Sequence, residues 1–390
     1  MTESTSPTEQ SWDATAAWRE LLDGLRDLDA SFLTGDRAVD SETAVADGYK
    51  MLATILGVGF DTYLFSDPAR PAFLDTVTPF RNDRRWGGDN TDAYYALAVL
   101  DHARTYRVSG TRGDSAYFSL TVYNEPSPGA WSDRVVGIVN DADLRFDADG
   151  AFSFLMGPAR PASYDGVFIE FSEDTAVALT RDYQDDPLIG RRVTWEIEAL
   201  DEPGPFVRDD ASVARSFRSA LRWMQTMFAI VPLSVGVRLD DERHGLGHEI
   251  AQVANSFAAP YRVPDFNFGW SATDACYSFG SYRLAEDEAL VVTHRPPACR
   301  FWNVIVWNQF MAGQNVTDGR TSLNHASAEA NSDGTVTVVF SPGVVDHPNA
   351  ISTLGRNEGN LAFRWFLAEE VPEPPQVELV KVSQVSPDLR

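Results

Sequence analysis

Residues 106–124, YRVSGTRGDSAYFSLTVYN, and residues 290–308, LVVTHRPPACRFWNVIVWN, share one plan. Each runs strand-like, turns, runs strand-like again and closes on an aromatic residue followed by Asn. Asn124 and Asn308 are 308 − 124 = 184 residues apart, and Gly110 and His294 are 294 − 110 = 184 apart. The Asp149-Gly150 and Asp333-Gly334 turns keep that offset of 184, as do Asn140 and Asn324. The offset slips to 182 between TDAYY at 91–95 and TDACY at 273–277, and to 183 between Arg181 and Arg364. A period this long is domain-sized, so the chain carries a duplication rather than a solenoid. Whatever it folds into must bury the same apolar pattern twice.

The coarse pattern follows that frame. WRELLDGLRDLDASFL sets Trp18, Leu21, Leu22, Leu25 and Leu28 at helical spacing, and AVADGYKMLATILGVGFDTYL carries a second stripe. From about residue 82 strand-like runs appear between Gly, Asp, Asn and Pro: HARTYRVSG, AYFSLTVYN, AFSFLM, VFIEF, AVALTRDY and RRVTWEIEAL. SVARSFRSALRWMQTMFAI at 212–230 predicts a helix stopped by Pro232, and a further helix is expected from about His248 to 260. Strands then resume. The division expected is a disordered lead over 1–11, a helical region over 12–80, a β unit over 81–206, a helical connector over 207–260 and a second β unit over 261–390. The fold class is mainly β with flanking helices (α+β): two homologous β-sandwich or jelly-roll-like units joined by a helical segment.

Five stretches carry a family likeness: PDFNFGW at 264–270, TDACYSFGSYRL at 273–284, LVVTHRPPACRFWNVIVWN, SDGTVTVVFSPG at 332–343 and ISTLGRNEGNLAFRWF at 351–366. Together they resemble the family catalogued as domain of unknown function 1214, over roughly residues 260–370. The first β unit and the helices before it are similar to the upstream region found in a subset of that family. The resemblance implies a β-sandwich or jelly-roll-like fold and brings no activity and no catalytic residues with it.

Composition narrows the partners. A formal net charge of −25, from 57 acidic and 32 basic residues, repels phosphate backbones and anionic lipid, so neither nucleic acid nor membrane is expected. The N-terminus has no basic and apolar leader, and with Cys276 and Cys299 as the two cysteines a reducing, cytoplasmic setting is expected. GVG at 57–59 and GDN at 88–90 fit neither a phosphate loop nor a dinucleotide fingerprint, and GxSxG is absent. The cofactor is left unknown. A small-molecule ligand is the expected partner, with an oligomer left open.

Comparing the copies sorts candidate residues. Asp92/Asp274, Tyr95/Tyr277, Asn124/Asn308 and Arg181/Arg364 occur in both, which favours fold-building roles: the aspartates capping turns, the arginines pairing with carboxylates. Asp274 is also a candidate general base. The second copy alone has His294 for Gly110, Arg300 for Ala116, Trp302 for Phe118, Asn303 for Ser119 and His325 for Asp141. If 288–294 and 300–308 form a hairpin, His294 and Arg300 face each other across its base. His294 would then serve as acid or base, with Arg300 and Asn303 orienting substrate and Trp270 and Trp302 lining an aromatic pocket. Alternation along 300–307 puts Trp302, Val304 and Val306 on one side and Phe301, Asn303, Ile305 and Trp307 on the other, so both faces are buried and Asn303 must find partners. His244 and His248, four apart, are weaker metal candidates, because two glycines separate them. Two functions remain open. One is an enzyme acting on a glycoside or flat apolar metabolite at the second unit. The other is a non-catalytic binding or scaffold protein whose two units clasp one ligand, and it gains if His294, Asp274 and Asn303 do not converge.

Overall fold

A computed structural model describes residues 12–32, 39, 41–78, 84–205, 208–230, 253–263, 269–314 and 317–390. Helix α1 (Asp13–Phe32) and helix α2 (Glu42–Phe60) precede the sheets. Ser41 starts α2, its hydroxyl accepting the Ala44 N–H at 3.1 Å, and the helix widens at its end into a π-helical turn over Asp61–Phe65. The first unit then contributes β1 (Leu74–Val77), β2 (Ala93–Val99), β3 (Tyr106–Thr111), β4 (Tyr117–Asn124), β5 (Val135–Asn140), β6 (Ala151–Gly157), β7 (Phe168–Glu170), β8 (Thr175–Tyr183) and β9 (Thr194–Ala199). Helix α3 (Asp210–Ile230) joins the units. It is pinned to α1 by the Asp210 carboxylate, which accepts the Asp13 and Ala14 N–H groups, and by Arg218, which reaches Asp13 and Glu20. The second unit contributes β10 (Ser256–Phe257), β11 (Tyr261–Arg262), β12 (Ala275–Arg283), β13 (Glu288–His294), β14 (Phe301–Trp307), β15 (Ser322–Asn324), β16 (Val336–Ser341), β17 (Ala350–Ser352), β18 (Glu358–Phe366) and β19 (Gln376–Lys381).

Each unit is a two-sheet sandwich, and the two have one topology. The large sheets run β1-β2-β8-β4-β5 and β10-β12-β18-β14-β15; the small ones run β7-β6-β3-β9 and β17-β16-β13-β19. Even the one parallel pair recurs, β6 with β7 and β16 with β17. Inside the first sandwich Phe118, Leu120 and Val122 of β4 meet Val108, Phe152 and Phe154. Inside the second, Trp302, Val304 and Val306 of β14 meet Leu290, Val292 and Phe340.

The reverse faces of β4 and β14 are apolar for a different reason. The two large sheets pack against each other about a pseudo-twofold axis. Tyr183 and Phe366, equivalent residues, meet at 4.2 Å between ring centroids. Around them Tyr117 packs on Phe366 at 5.2 Å, and its mate Phe301 packs on Tyr183 at 5.5 Å. The polar contacts obey the same symmetry. Arg364 donates to the Gly88 carbonyl and Arg181 to the Trp270 carbonyl. Trp307 Nε1 donates to Asp89 O at 2.7 Å, and the Tyr123 hydroxyl to Ser271 O at 2.6 Å. Fully burying each such aromatic is worth roughly 1.5–3 kcal/mol, so the interface is part of one core and not a loose contact between domains.

Two expectations are corrected. β13 and β14 lie in different sheets, so residues 295–299 cross from one sheet to the other and make no hairpin. His294 pairs with Val336 of β16, while the Arg300 N–H bonds Phe366 O of β18. Within its sheet β14 lies between β18 and β15, and its two faces are covered by the small sheet on one side and the first unit's large sheet on the other. The helix expected to reach residue 260 is also absent at its end: Ser256–Phe257 pairs with β12, and Asn255 turns the chain into it at φ 59°. No helix among the described residues is long and apolar enough to cross a membrane.

Candidate functional site between the two units

A cavity of about 170 Å³ lies between the two large sheets, beside the pseudo-twofold axis. Its walls are aromatic: Trp86, Tyr95, Tyr183, Trp270, Tyr277 and Trp307. Helix α3 supplies Met227 and backs the wall with Trp223, whose ring stacks on Trp270 at 5.8 Å and meets Trp86 edge-on at 5.5 Å. The 86–90 turn is folded tightly enough to form a rim because Gly87 and Gly88 both take left-handed backbone, at φ 68° and 71°. A Cβ on Gly88 would sit 3.1 Å from Met311 Cε and 3.5 Å from the Trp307 ring.

Two arginines, one from each unit, enter this apolar space. Arg181 and Arg364 are only 3% and 5% exposed. Arg181 donates to Thr121 Oγ1 at 3.1 Å, to the Tyr123 hydroxyl at 2.8 Å and to Trp270 O. Arg364 donates to Gly88 O and, at 3.4 Å, to the Tyr95 hydroxyl, and its Nε has no partner. Its guanidinium lies 5.3 Å from the Trp307 ring centroid and 5.6 Å from that of Tyr277. The expectation that these arginines pair with carboxylates is therefore corrected. The one acidic residue on the wall, Asp89, is already held by Arg85 at 3.0 Å and by the Gly313 N–H at 2.7 Å. Burial pushes the Asp89 carboxyl up while Arg85 pulls it down. The guanidiniums of Arg85, Arg181 and Arg364 thus share one carboxylate, Asp89, which acts on Arg364 through space only, so the site keeps an excess of buried positive charge that a bound anion would offset.

The residues singled out from the sequence go to several places. Trp270 lines the cavity. His294 and Trp302 do not: they pack on each other inside the second sandwich, centroids 4.7 Å apart, with Phe363 at 4.6 Å from the imidazole. Neither ring nitrogen of His294 has a partner, and burial lowers its pKa to about 3, so it is neutral. Arg300 reaches away from it, to Asp141 at 2.7 Å and Ala116 O at 2.9 Å in the first unit. His244 and His248 lie outside the described residues. Among the described residues no group of three His, Cys, Asp or Glu side chains is placed to hold a metal.

Asn303 and Asp274 reveal a broken symmetry. Asn303 joins Asn90 and Asp92 in a buried knot, donating to Asp92 at 2.8 Å and to Asn90 at 2.7 Å while accepting from Asn90 at 3.0 Å. Ser322 and Asn324 also donate to Asp92, at 2.7 and 3.3 Å. Burial raises the Asp92 pKa, and these bonds oppose the rise. In the mirrored position most of these polar groups have gone: Ala272 stands for Asn90, Ser119 for Asn303 and Ile138 for Ser322, and only Asn140, the mate of Asn324, is kept. Both carboxylate oxygens of Asp274 are enclosed and unpartnered, although the residue as a whole keeps some exposure, and the Ser119 hydroxyl is unpartnered too. Burial carries the Asp274 pKa to about 7. His294, Asp274 and Asn303 therefore share no concave surface.

Sequence reasoning named Tyr95, Tyr277, Arg181 and Arg364 as shared pairs and assigned them to the fold. A site on the axis relating two copies is built from residues both copies keep, so the filter that favours unshared residues passes over it. The available signal was an arginine recurring at the same place in two long strand-like runs, ALTRDY and AFRWF.

The comparisons with known proteins agree with this architecture. Residues 92–185 and 281–370 each match the family model described as "Protein of unknown function (DUF1214)", so the match falls in the first unit as well as in the second. An uncharacterized protein from Burkholderia cenocepacia has a crystal structure that superposes with TM-score 0.81 at 24% identity, covering 95% of this chain and 99% of that one. That likeness establishes the fold. The VPA0106 protein from Vibrio parahaemolyticus aligns over 95% of this chain and 99% of its own at 13% identity, with TM-score 0.43, too slight a likeness to inform the site. No curated protein matches the chain.

Proposed function

We propose that the two DUF1214 units of this chain act as a clasp that binds one small, flat organic molecule in the cavity between them. The observation that carries this is the cavity itself: about 170 Å³, walled by aromatics from both units and from α3. An apolar cavity of about 150 Å³ takes benzene, so a single ring with one small substituent matches the space. Aromatic walls offer stacking and edge contacts to such a ring at little entropic cost. Binding without chemistry is favoured over acid–base catalysis because the expected acid–base group, His294, is neutral and enclosed in a separate core.

Ligand-observed NMR with a library of single-ring fragments, run on the wild type and on Met227→Trp, tests the proposal. Met227 lines the cavity, so the larger ring should fill it and abolish the signals while circular dichroism stays unchanged. Fragments that bind the filled variant equally well, or a library with no binder at all, would sink it.

A further inference from the structure

We infer that the molecule held in the inter-unit cavity is a small carboxylate, its ring between the aromatic walls and its carboxylate taken by Arg181 and Arg364. This inference rests on the binding proposal above and adds the chemical class of the ligand.

Three observations carry it. The first is charge: both guanidiniums line the cavity, neither hydrogen-bonds a carboxylate, and the nearby Asp89 is already engaged by Arg85. Buried charges in folded proteins are paired, and one carboxylate, bonded to Arg85 and acting on Arg364 through space, leaves the two cavity-lining cations short of counter-charge, so the cavity is complementary to an anion. The second is unused donor capacity. The protein bonds to Arg364 run only to a carbonyl and a tyrosine hydroxyl, so its fork is not spent on a carboxylate. These neutral acceptors orient the planar fork without discharging it, as a carboxylate site requires. The third is symmetry. The same contact, arginine to the carbonyl of the facing unit, is made twice about the axis, and the Tyr95 side chain touches both cations. The two forks are thereby held in one space by one residue. Tyr183, on the axis, lines the same space and is the one member of its pair with a hydroxyl, since Phe366 is its mate.

The size of the cavity and the planarity of the donors favour a carboxylate over a phosphate ester. A guanidinium meets a carboxylate in two parallel bonds in one plane, and a ring lying against tryptophan faces keeps the carboxylate in that plane.

The test is isothermal titration of three acids of rising size, benzoate, cinnamate and indole-3-carboxylate, each against its neutral primary amide, at pH 7.5 and constant chloride. At least one acid is expected to bind tenfold or more tightly than its amide. Arg364→Met and Arg181→Met should each reduce that ratio toward one, with circular dichroism and melting used to confirm that the variants fold. The acid-to-amide ratio on the wild-type protein stands as a test even if a variant does not fold. Amides that bind as well as their acids, or neutral rings that bind while every acid fails, would overturn the anionic class and leave the clasp intact. Absence of binding by acids, amides and neutral fragments alike would overturn both.

Discussion

Replacing Asp274 by Asn should remove a pH dependence from the stability of this chain. Asp92 and Asp274 occupy equivalent positions, but Asp92 accepts bonds from Asn303, Ser322 and Asn324 while both oxygens of Asp274 are enclosed without a partner. Burial lifts the Asp274 pKa from 3.8 to about 7, opposed only by the residue's own backbone N–H. The sign of the linkage follows from proton counts. Between those values the unfolded chain has released the proton and the folded chain still holds it, so stability falls as pH rises; above about pH 7 both states are ionised and the loss is complete. At about 1.36 kcal/mol per pH unit, moving from 3.8 to about 7 amounts to about 4 kcal/mol in all, of which roughly 3 kcal/mol falls between pH 5 and pH 8. The assay is urea unfolding of wild type and Asp274→Asn at half-unit steps across that window. Other buried carboxyls with raised pKa values, Asp89 and Asp182 among them, contribute to both curves and cancel in the difference. The variant should equal or trail the wild type at pH 5 and exceed it by up to about 3 kcal/mol at pH 8. Parallel curves would refute the claim that this carboxyl is desolvated and unpaired.

Ser119→Asn restores the residue that Asn303 provides in the other copy, and should stabilise the protein by about 1 kcal/mol at pH 8 with little gain at pH 5, read from the same urea midpoints. Asn303→Ala strands the buried polar atoms of Asn90 and Asp92 and should cost about 2–4 kcal/mol, measured at neutral pH; a cost under about 0.5 kcal/mol would mean the knot is not a buried network. His294→Phe replaces an imidazole with two unpartnered nitrogens by a ring of similar size among Trp302, Phe363 and Trp365, and should raise stability by about 1–2 kcal/mol while leaving fragment binding unaltered. Lost binding in that variant would return His294 to the site.

The pattern of residues alone determined the duplication, the strands and the burial of β14 on both faces. Those follow from short-range physics. Alternation of side chains fixes which residues share a face, and equal spacing between repeated turns fixes that one topology occurs twice. Asn303 was marked as needing partners because a buried amide cannot go unpaired, and the partners proved to be Asn90 and Asp92 of the other unit. What alternation does not encode is which element lies on the far side of each face. β13 and β14 look like a hairpin in sequence because both are apolar and separated by a short Pro-rich loop; that they belong to opposite sheets is decided by β16, β18 and β19, whose strands lie up to about 90 residues away along the chain. The same holds for the site. Arg181 and Arg364 are ordinary strand residues until two sandwiches meet about an axis and place both cations, with Tyr95 touching each, on the wall of one aromatic cavity.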